Sequence, residues 1–216
     1  LAKLRQIAPG FRYKAAVNHV RMFKDITGLV DLVPILPFIA AHWDRVPELA
    51  SEVPGRFLWY VCCDPDYPNT FIKSPLLESR LIPILTKYMR LDGFLRWNYT
   101  VWPERPRERL SFRSHHWASG DTNFVYPSYG GHPLLSLRYK LLLMGIQDFE
   151  LLNMVETRYG AYSPVLKEYF RRILFEPDLK KYYSEDRSDG QGLYSLNWQD
   201  YEGARKLLLD ALVDRA

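Results

Sequence analysis

The chain has 216 residues, of which 47% are hydrophobic and 25% charged, a balance typical of a globular protein with a buried core. Its net charge is +4, but the basic residues are scattered rather than gathered on one face, which argues against a nucleic-acid-binding protein. The sequence has no run of about 20 apolar residues, so we predict no membrane-spanning segment. Aromatic residues make up 15% of the chain, which indicates either a ring-rich core or a surface on which flat ligands stack.

Metal and cofactor sites are not expected from the cysteines and histidines. Cys62 and Cys63 are adjacent, so they cannot join distant parts of the fold, and two thiols are too few for a zinc site. We predict that both are buried strand residues. His115 and His116 would point to opposite sides of a strand, without a further ligand at suitable spacing. Leu1 is not a start methionine and no signal peptide is visible, so we expect chain upstream and favour the cytoplasm over the extracellular space.

The first hundred residues contain four short apolar segments that predict strands, with helical segments between them. These segments lack clean alternation of polar and apolar residues, which favours parallel strands covered by helices. Ser74 and Pro75 supply a cap and a first-turn proline for one of the helices. The predicted strands are residues 12–18, 29–36, 56–63 and 92–102, and the predicted helices are residues 38–53, split near Pro47, and 74–90.

The pattern changes to helical spacing in the second half. A short extra strand is expected at 121–126, and a long helix should then run from Ser136 to about Arg158. Ser163-Pro164 repeats the cap and proline signal and opens a helix that should end near residue 176. Residues 198–214 predict a final amphipathic helix.

Four strand–helix units make only half of a (β/α)₈ barrel. A complete barrel of this kind needs about 250 residues. A free half barrel would leave two open sheet edges and an unfilled interior. The chain is therefore either an open α/β sheet or the second half of a longer barrel.

Six segments occur in an order that resembles the catalytic domain of glycoside hydrolase family 123. One such segment would be a weak signal, but several in the right order are specific. They are Trp59-Tyr60-Val61-Cys62, Tyr67-Pro68-Asn69-Thr70-Phe71-Ile72, Asp92-Gly93-Phe94-Leu95-Arg96-Trp97, Gly120-Asp121-Thr122-Asn123-Phe124-Val125-Tyr126-Pro127, Ser136-Leu137-Arg138 and Gly145-Ile146-Gln147-Asp148-Phe149-Glu150.

The resemblance covers residues 1–158 and implies an α/β fold, the second half of a TIM (β/α)₈ barrel. Residues 159–216 would then form a C-terminal helical extension. The resemblance also implies a retaining N-acetyl-β-galactosaminidase, or a relative that acts on β-linked 2-acetamido sugars. In such enzymes the substrate's own acetamido oxygen attacks the anomeric carbon, an aspartate orients the acetamido group, and the glutamate beside it is the acid/base.

The sequence departs from this family at the catalytic pair. No Asp-Glu dipeptide occurs in the chain, and Glu185-Asp186 has the reverse order. We therefore predict no catalytic residue in this chain and expect the pair upstream of Leu1, on the missing N-terminal half of the barrel. The expected partners are that half and a carbohydrate substrate, with no nucleic acid, membrane or cofactor. The alternative is a non-catalytic carbohydrate-binding or scaffold domain that has lost catalysis.

The candidate substrate-binding residues lie near the ends of the predicted strands, where a barrel enzyme binds its ligand. Trp97 is the first choice, because an indole ring can stack on the apolar face of a pyranose; the alternative is a core tryptophan. Asn98 could hydrogen-bond to hydroxyl groups or to the acetamido group. The other candidates are Tyr99, Trp59, Tyr60, Asp64, Tyr67, Asp121, Tyr126 and Asn18.

Several of these candidates have equally plausible structural roles. Trp59 and Tyr60 could both be core residues, although alternation along a strand should point one of them into the barrel. Asp64 could instead cap a turn, and Asp121 could be an ordinary turn residue. The motif residues Arg138, Asp148 and Glu150 lie on the long helix, where we predict an ion-pair or capping network rather than chemistry.

Overall fold

The computed structural model describes residues 2–17, 31–105, 108, 116–183 and 192–213. Within these ranges the chain forms seven α-helices, six β-strands and two short 3₁₀ helices, Trp43–Arg45 and Leu179–Tyr182. In chain order the elements are α1 Ala2–Ile7, β1 Lys14–Val17, β2 Asp31–Pro34, α2 Leu36–Ala41, α3 Val46–Glu52, β3 Leu58–Tyr60, α4 Leu76–Tyr88, β4 Gly93–Leu95, β5 Val125–Tyr126, β6 Leu134–Leu135, α5 Leu137–Tyr159, α6 Pro164–Ile173 and α7 Trp198–Val213. No helix in these ranges has both the length and the apolar character that crossing a membrane requires.

Strands β1 to β4 lie side by side in chain order and are parallel. β1 pairs with β2, and β3 pairs with β4. Parallel bridges between Leu32 and Phe57 and between Ile35 and Tyr60 join the two ladders. The prediction of parallel strands covered by helices is therefore confirmed, whereas their closure into half of a barrel stays a prediction.

The fourth strand is much shorter than the predicted segment 92–102. β4 ends at Leu95, and the residues after it pair with a different part of the chain. Thr100 forms an antiparallel bridge with Asn123, and the amide of Phe124 donates to the carbonyl of Tyr99. The aromatic residues after β4 thus lie on a loop that is held by residues 122–125, rather than in the parallel sheet.

The helices follow the local signals closely. Ser136 caps α5 by accepting a hydrogen bond from the amide of Tyr139. The helix predicted from 38 to 53 is interrupted near His42, and Pro47 falls in the first turn of α3, where its missing N–H is tolerated. α4 and α5 approach so closely that a Cβ at Gly145 would lie 2.3 Å from the carbonyl oxygen of Arg80, which only glycine avoids.

A single hydrophobic cluster connects the sheet with the C-terminal helices. It contains β-strand residues such as Val33 and Trp59 together with Leu81 of α4, Tyr169 of α6 and Leu208 of α7, all of them fully buried. The helices of the predicted extension, residues 159–216, therefore share the core of the preceding part of the chain. α6 and α7 pack on each other and on α5.

Asp148 of α5 has the structural role that the sequence predicted. Its two carboxylate oxygens accept from Arg80 Nε at 2.6 Å and from Arg205 Nη1 at 2.7 Å. Arg80 also donates to Glu202 at 2.7 Å, so α4, α5 and α7 are joined by one ionic network. We call these four residues the helix-layer cluster.

Candidate functional site

The loops that follow β3 and β4 begin at the same edge of the sheet, because the two strands are parallel. Side chains from these loops and from residues 117–126 come together there. Trp97 lies against Trp117 and bonds to Asp121. Burial is the main cause that raises the pKa of the Cys63 thiol to about 11, and Cys62 and the charge of Asp121 add to it. We call the group Tyr60, Cys63, Trp97, Trp117 and Asp121 the strand-end surface.

Two partly exposed tryptophans are the most accessible rings of the strand-end surface. The ring centroids of Trp97 and Trp117 are 5.4 Å apart with an angle of 54° between the planes. Trp97 is 39% exposed and Trp117 is 42% exposed, so both residues are partly accessible to solvent. Exposed, immobilised indole rings are a common means of binding flat or apolar ligand faces. Trp97 is thus not a core residue, which was its alternative reading.

Asp121 fixes the orientation of Trp97. Its Oδ1 accepts a hydrogen bond of 3.0 Å from Trp97 Nε1, while the carboxylate itself is fully buried. The guanidinium of Arg96 lies 3.6 Å from the same oxygen and supplies the opposite charge. Asp121 is therefore a buried positioning group rather than an exposed acid.

Arg96 links the loop that contains Thr70 to the loop that contains Gly120 and Asp121 through hydrogen bonds to backbone and hydroxyl oxygens. Its Nη1 donates to Thr70 Oγ1 at 2.6 Å, and its Nη2 donates to the carbonyls of Gly120 at 3.0 Å and Asp121 at 2.6 Å. Burial lowers the pKa of Arg96 to about 10, an effect that the charge of Asp121 only partly opposes. The guanidinium therefore remains protonated at neutral pH.

Arg138 of α5 holds the same loops from the helix side. It donates to the carbonyls of Thr70 at 2.5 Å, Gly120 at 2.8 Å and Asn123 at 2.8 Å. Gly120 has a φ of +88°, and a Cβ there would lie 2.7 Å from Arg138 Nη1, so the turn requires glycine. Arg96 and Arg138 each lie 4.9 Å from the ring centroid of Phe124, and both donate to the carbonyl of Gly120. We call Arg96, Arg138 and Asp121 the strand-end cluster.

The loop after β3 is held by the side chain of Asn69. Its Nδ2 donates to the carbonyls of Cys62 at 2.9 Å and Pro65 at 2.7 Å, and its backbone amide donates to Glu78 at 2.8 Å. Asp64 and Tyr67 lie on this loop, Asp64 exposed and Tyr67 half-buried. Partial burial, together with the charge of Asp66, raises the pKa of Asp64.

Tyr60 and Trp59 point to opposite sides of the sheet, as alternation along a strand requires. Tyr60 is buried close to Cys62 and Cys63, and burial is the main cause that raises its pKa to about 12, so its phenol is neutral at physiological pH. Trp59 is fully buried on the helix side, where its Nε1 donates to Thr86 of α4 at 2.7 Å. We therefore remove Trp59 from the candidate site and assign it to the core.

The remaining candidates have mostly structural contacts. Asn98 Oδ1 accepts from the amides of Thr100 and Val101 and so closes its own turn. Tyr99 packs edge-on against Phe124, and the hydroxyl of Tyr126 accepts from Arg138 at 3.3 Å. Asn18 lies outside the described residues.

The adjacent cysteines differ from their prediction. Both follow the end of β3, and Cys62 is half-buried while Cys63 is exposed, so the prediction of buried strand residues is wrong. Their sulfur atoms are 3.7 Å apart. In the described part of the chain, no three His, Cys, Asp or Glu side chains form a group that could hold a metal ion. His115 is outside that part.

Sequence reasoning missed Trp117, Arg96 and Asn69. Trp117 follows a charged irregular segment, and a tryptophan outside any apolar periodicity is a signal of a surface ring. Arg96 interrupts an apolar run directly before Trp97, which could have indicated a buried cation with several acceptors. Asn69 carries no such signal, because nothing in the neighbouring sequence marks the carbonyls of Cys62 and Pro65 and the carboxylate of Glu78 as its partners.

The fold and these side chains define an α/β protein with aromatic and polar groups at the carboxyl ends of its parallel strands, the edge at which such folds bind ligands. The family model described as "Glycoside hydrolase 123, catalytic domain" matches residues 1–155. The chain belongs to this family.

A solved structure supports the same fold. It is a family 123 glycoside hydrolase from Clostridium perfringens, studied for the hydrolysis of glycolipid glycans. The two structures superpose with a TM-score of 0.55 at 19% sequence identity, over 93% of this chain and 34% of that one. This chain therefore spans about a third of the length of that enzyme. No curated protein sequence matches the chain.

Proposed function

We propose that the chain forms the second half of a glycoside hydrolase barrel that acts on β-linked N-acetylhexosaminides, of the N-acetyl-β-galactosaminidase type. The observation that carries the proposal is the pair of exposed rings, Trp97 and Trp117, at the carboxyl ends of parallel strands in a chain of family 123. The C–H groups on one face of a pyranose make that face apolar, so it packs well against an indole ring.

The carboxylate of the strand-end surface, Asp121, supports a proposal in which the two halves of the barrel have different roles. Asp121 is fully buried and bonded to Trp97, so it is not placed to transfer a proton to an exposed ligand. In this proposal, catalysis is substrate-assisted and retaining, and the Asp-Glu pair that orients the acetamido group and transfers the proton lies upstream of this chain. In this proposal Trp97 and Trp117 bind the sugar.

A second candidate is a carbohydrate-binding or scaffold domain without catalysis. The observation that favours it is the absence of an Asp-Glu dipeptide from all 216 residues. Both candidates require the aromatic rings, and they differ only in turnover.

The test is a hydrolysis assay of the full-length protein on chromogenic N-acetyl-β-galactosaminide and N-acetyl-β-glucosaminide. Trp97→Ala and Trp117→Ala should each lower kcat/KM at least fivefold, since the loss of a stacking ring costs more than about 1 kcal/mol. Phe175→Ala is the matched control, because it removes a ring that is 57% exposed in the groove between α3, α4 and α6.

The outcomes separate the two candidates. Turnover that is weakened by both tryptophan variants and not by Phe175→Ala supports the hydrolase. Binding of the sugar in calorimetry without turnover supports the binding domain instead. A wild-type protein that neither hydrolyses nor binds either sugar contradicts both, and a Trp97→Ala variant within about twofold of wild type removes Trp97 from the site.

A further inference from the structure

A tyrosine from the C-terminal part of the chain contacts a buried carboxylate at the start of α4. Tyr194 lies beyond the matched residues 1–155, and its hydroxyl donates to Oε1 of Glu78. Glu78 is fully buried in the first turn of α4. Its second oxygen, Oε2, accepts the backbone amide of Asn69 at 2.8 Å. Glu78 thus joins the C-terminal segment to the loop after β3.

The same hydrogen-bonded chain continues to the strand-end surface. The Nδ2 of Asn69 donates to the carbonyls of Cys62 and Pro65. The Oδ1 of Asn69 accepts from the amide of Thr70 at 2.7 Å. Thr70 in turn accepts from Arg96 at its hydroxyl and from Arg138 at its carbonyl. Tyr194, Glu78, Asn69 and Thr70 are all buried, so water does not replace a lost partner among them without cost.

Tyr194 is itself held firmly in place. Its side chain is 1% exposed, and its ring stacks on Tyr182 with centroids 6.1 Å apart. An antiparallel bridge to Leu174 fixes its backbone at the end of α6. The tyrosine can therefore act as a rigid support for Glu78.

We infer that Tyr194 is a positioning residue of the proposed glycosidase, which acts through Glu78 and Asn69 to hold the loop bearing Asp64 and Tyr67 in its substrate-binding conformation. This inference rests on the proposed function. It gives the segment 192–197 a part in the site, although the segment lies outside the residues that match the family. Misplacement of binding groups by about 1 Å can cost up to a hundredfold in rate, so a loop support of this kind affects activity without touching substrate.

The test compares Tyr194→Phe with Tyr182→Phe in the full-length protein. Each variant removes one buried hydroxyl from the same pair of stacked rings. The hydroxyl of Tyr182 donates to the carbonyl of Leu193 instead of to Glu78, which makes it the matched control. Hydrogen exchange of the amides in residues 62–71 is measured first, without substrate, and steady-state kinetics follow.

Tyr194→Phe should raise exchange at Asn69 and Thr70 about tenfold over Tyr182→Phe, because the loss of one buried hydrogen bond corresponds to about 1.4 kcal/mol. KM should rise severalfold with a smaller change in kcat, since the loop binds substrate and does not transfer the proton. Equal exchange in the two variants overturns the inference, as does a rise that is equally large in β1, which indicates a general loss of stability.

Glu78→Met provides a second route if Tyr194→Phe does not fold. It removes the carboxylate that accepts from Tyr194 and Asn69, and it leaves the rings of Tyr182 and Tyr194 intact. Faster hydrogen exchange in residues 62–71 than in the wild type supports the inference. Exchange at the wild-type rate overturns it. The exchange result is independent of sugar chemistry. If exchange changes as expected but the wild-type protein hydrolyses neither sugar, the hydrogen-bonded link stands and the proposed function fails.

Discussion

The helix-layer cluster and the strand-end cluster both bury arginines, but they compensate the buried charge in different ways. In the helix-layer cluster, Arg80 meets the carboxylates of Asp148 and Glu202. Burial acts to lower the pKa of Arg80, yet the two carboxylates outweigh it and leave the pKa raised. The charges in this cluster therefore stabilise one another.

In the strand-end cluster, two arginines share a single carboxylate and bind mainly to backbone carbonyls. Burial lowers the pKa of both Arg96 and Arg138, and the charge of Arg138 lowers the pKa of Arg96 further. Neutral carbonyl groups offset only part of the cost of burying a cation. The helix-layer cluster therefore stabilises the packing of helices, whereas the strand-end cluster fixes the loops around Trp97 and Trp117 at a cost in stability.

The largest effect is expected from Arg80→Met in the helix-layer cluster. The variant leaves Asp148 fully buried with Arg205 as its remaining partner, so the free energy of unfolding should fall by about 3–5 kcal/mol. Urea denaturation followed by circular dichroism measures it. A loss below about 1 kcal/mol would show that the ionic network is not what holds α4, α5 and α7 together.

Glu78 is a buried acid whose hydrogen-bond donors are neutral groups. It is therefore the acidic counterpart of Arg96, a buried base that donates mainly to neutral acceptors. Burial raises the pKa of Glu78 to about 7, against the opposing effect of Tyr194 and Asn69. The folded protein then binds the proton more tightly than the unfolded chain does. This contribution to stability is complete below about pH 4.5 and is lost as the pH rises through about 7.

The free energy of unfolding should therefore fall by about 3 kcal/mol between pH 4.5 and pH 8 through this one group, at about 1.4 kcal/mol for each pKa unit. Glu78→Gln should remove that part of the pH dependence and be the more stable protein at pH 8. Denaturation curves of both proteins at the two pH values measure the difference. Parallel pH profiles would mean that Glu78 is ionised at neutral pH in the folded protein.

A smaller loss of stability but a larger loss of binding is expected from Arg138→Met. The variant removes the arginine donor from the buried carbonyls of Thr70 and Asn123, while that of Gly120 keeps Arg96, and the free energy of unfolding should fall by about 1–3 kcal/mol. KM for the sugar substrate should rise as well, because the loops around Trp97 and Trp117 are released. Arg158→Met on the same helix is the control, since Arg158 donates to exposed carbonyls of Ala211 and Leu212. Equal effects of the two variants on KM would refute a loop-fixing role.

The smallest effect is expected from Arg171→Met, which breaks an exposed pair with Glu168. Exposed ion pairs contribute at most about 1 kcal/mol, so the unfolding midpoint should barely change. The variant gives the baseline for the loss of one arginine from a helix. If its effect matched that of Arg80→Met, burial would not be what distinguishes the two kinds of ion pair.

The elements with local signals could be predicted from the sequence alone. The spacing of apolar residues and the cap at Ser136 define α5, and the same periodicity gives α7 within one residue of its end. Apolar runs without alternation predicted four parallel strands, but they did not predict that β4 ends at Leu95. The order of short motifs gave the family, and the motif residue Asp148 was correctly assigned to an ion-pair network.

Which side chains form the candidate site depends on how distant parts of the chain fold together. Trp97, Trp117 and Asp121 meet because two loops after β4 fold onto each other, and no local propensity specifies that encounter. Local propensity also does not specify the side of the sheet on which Trp59 lies, because this depends on where α4 packs. Nor does it specify the contact between Tyr194 and Glu78, which are 116 residues apart in sequence. Periodicity and capping act within a few residues, whereas exposure and buried hydrogen bonds depend on how distant segments pack.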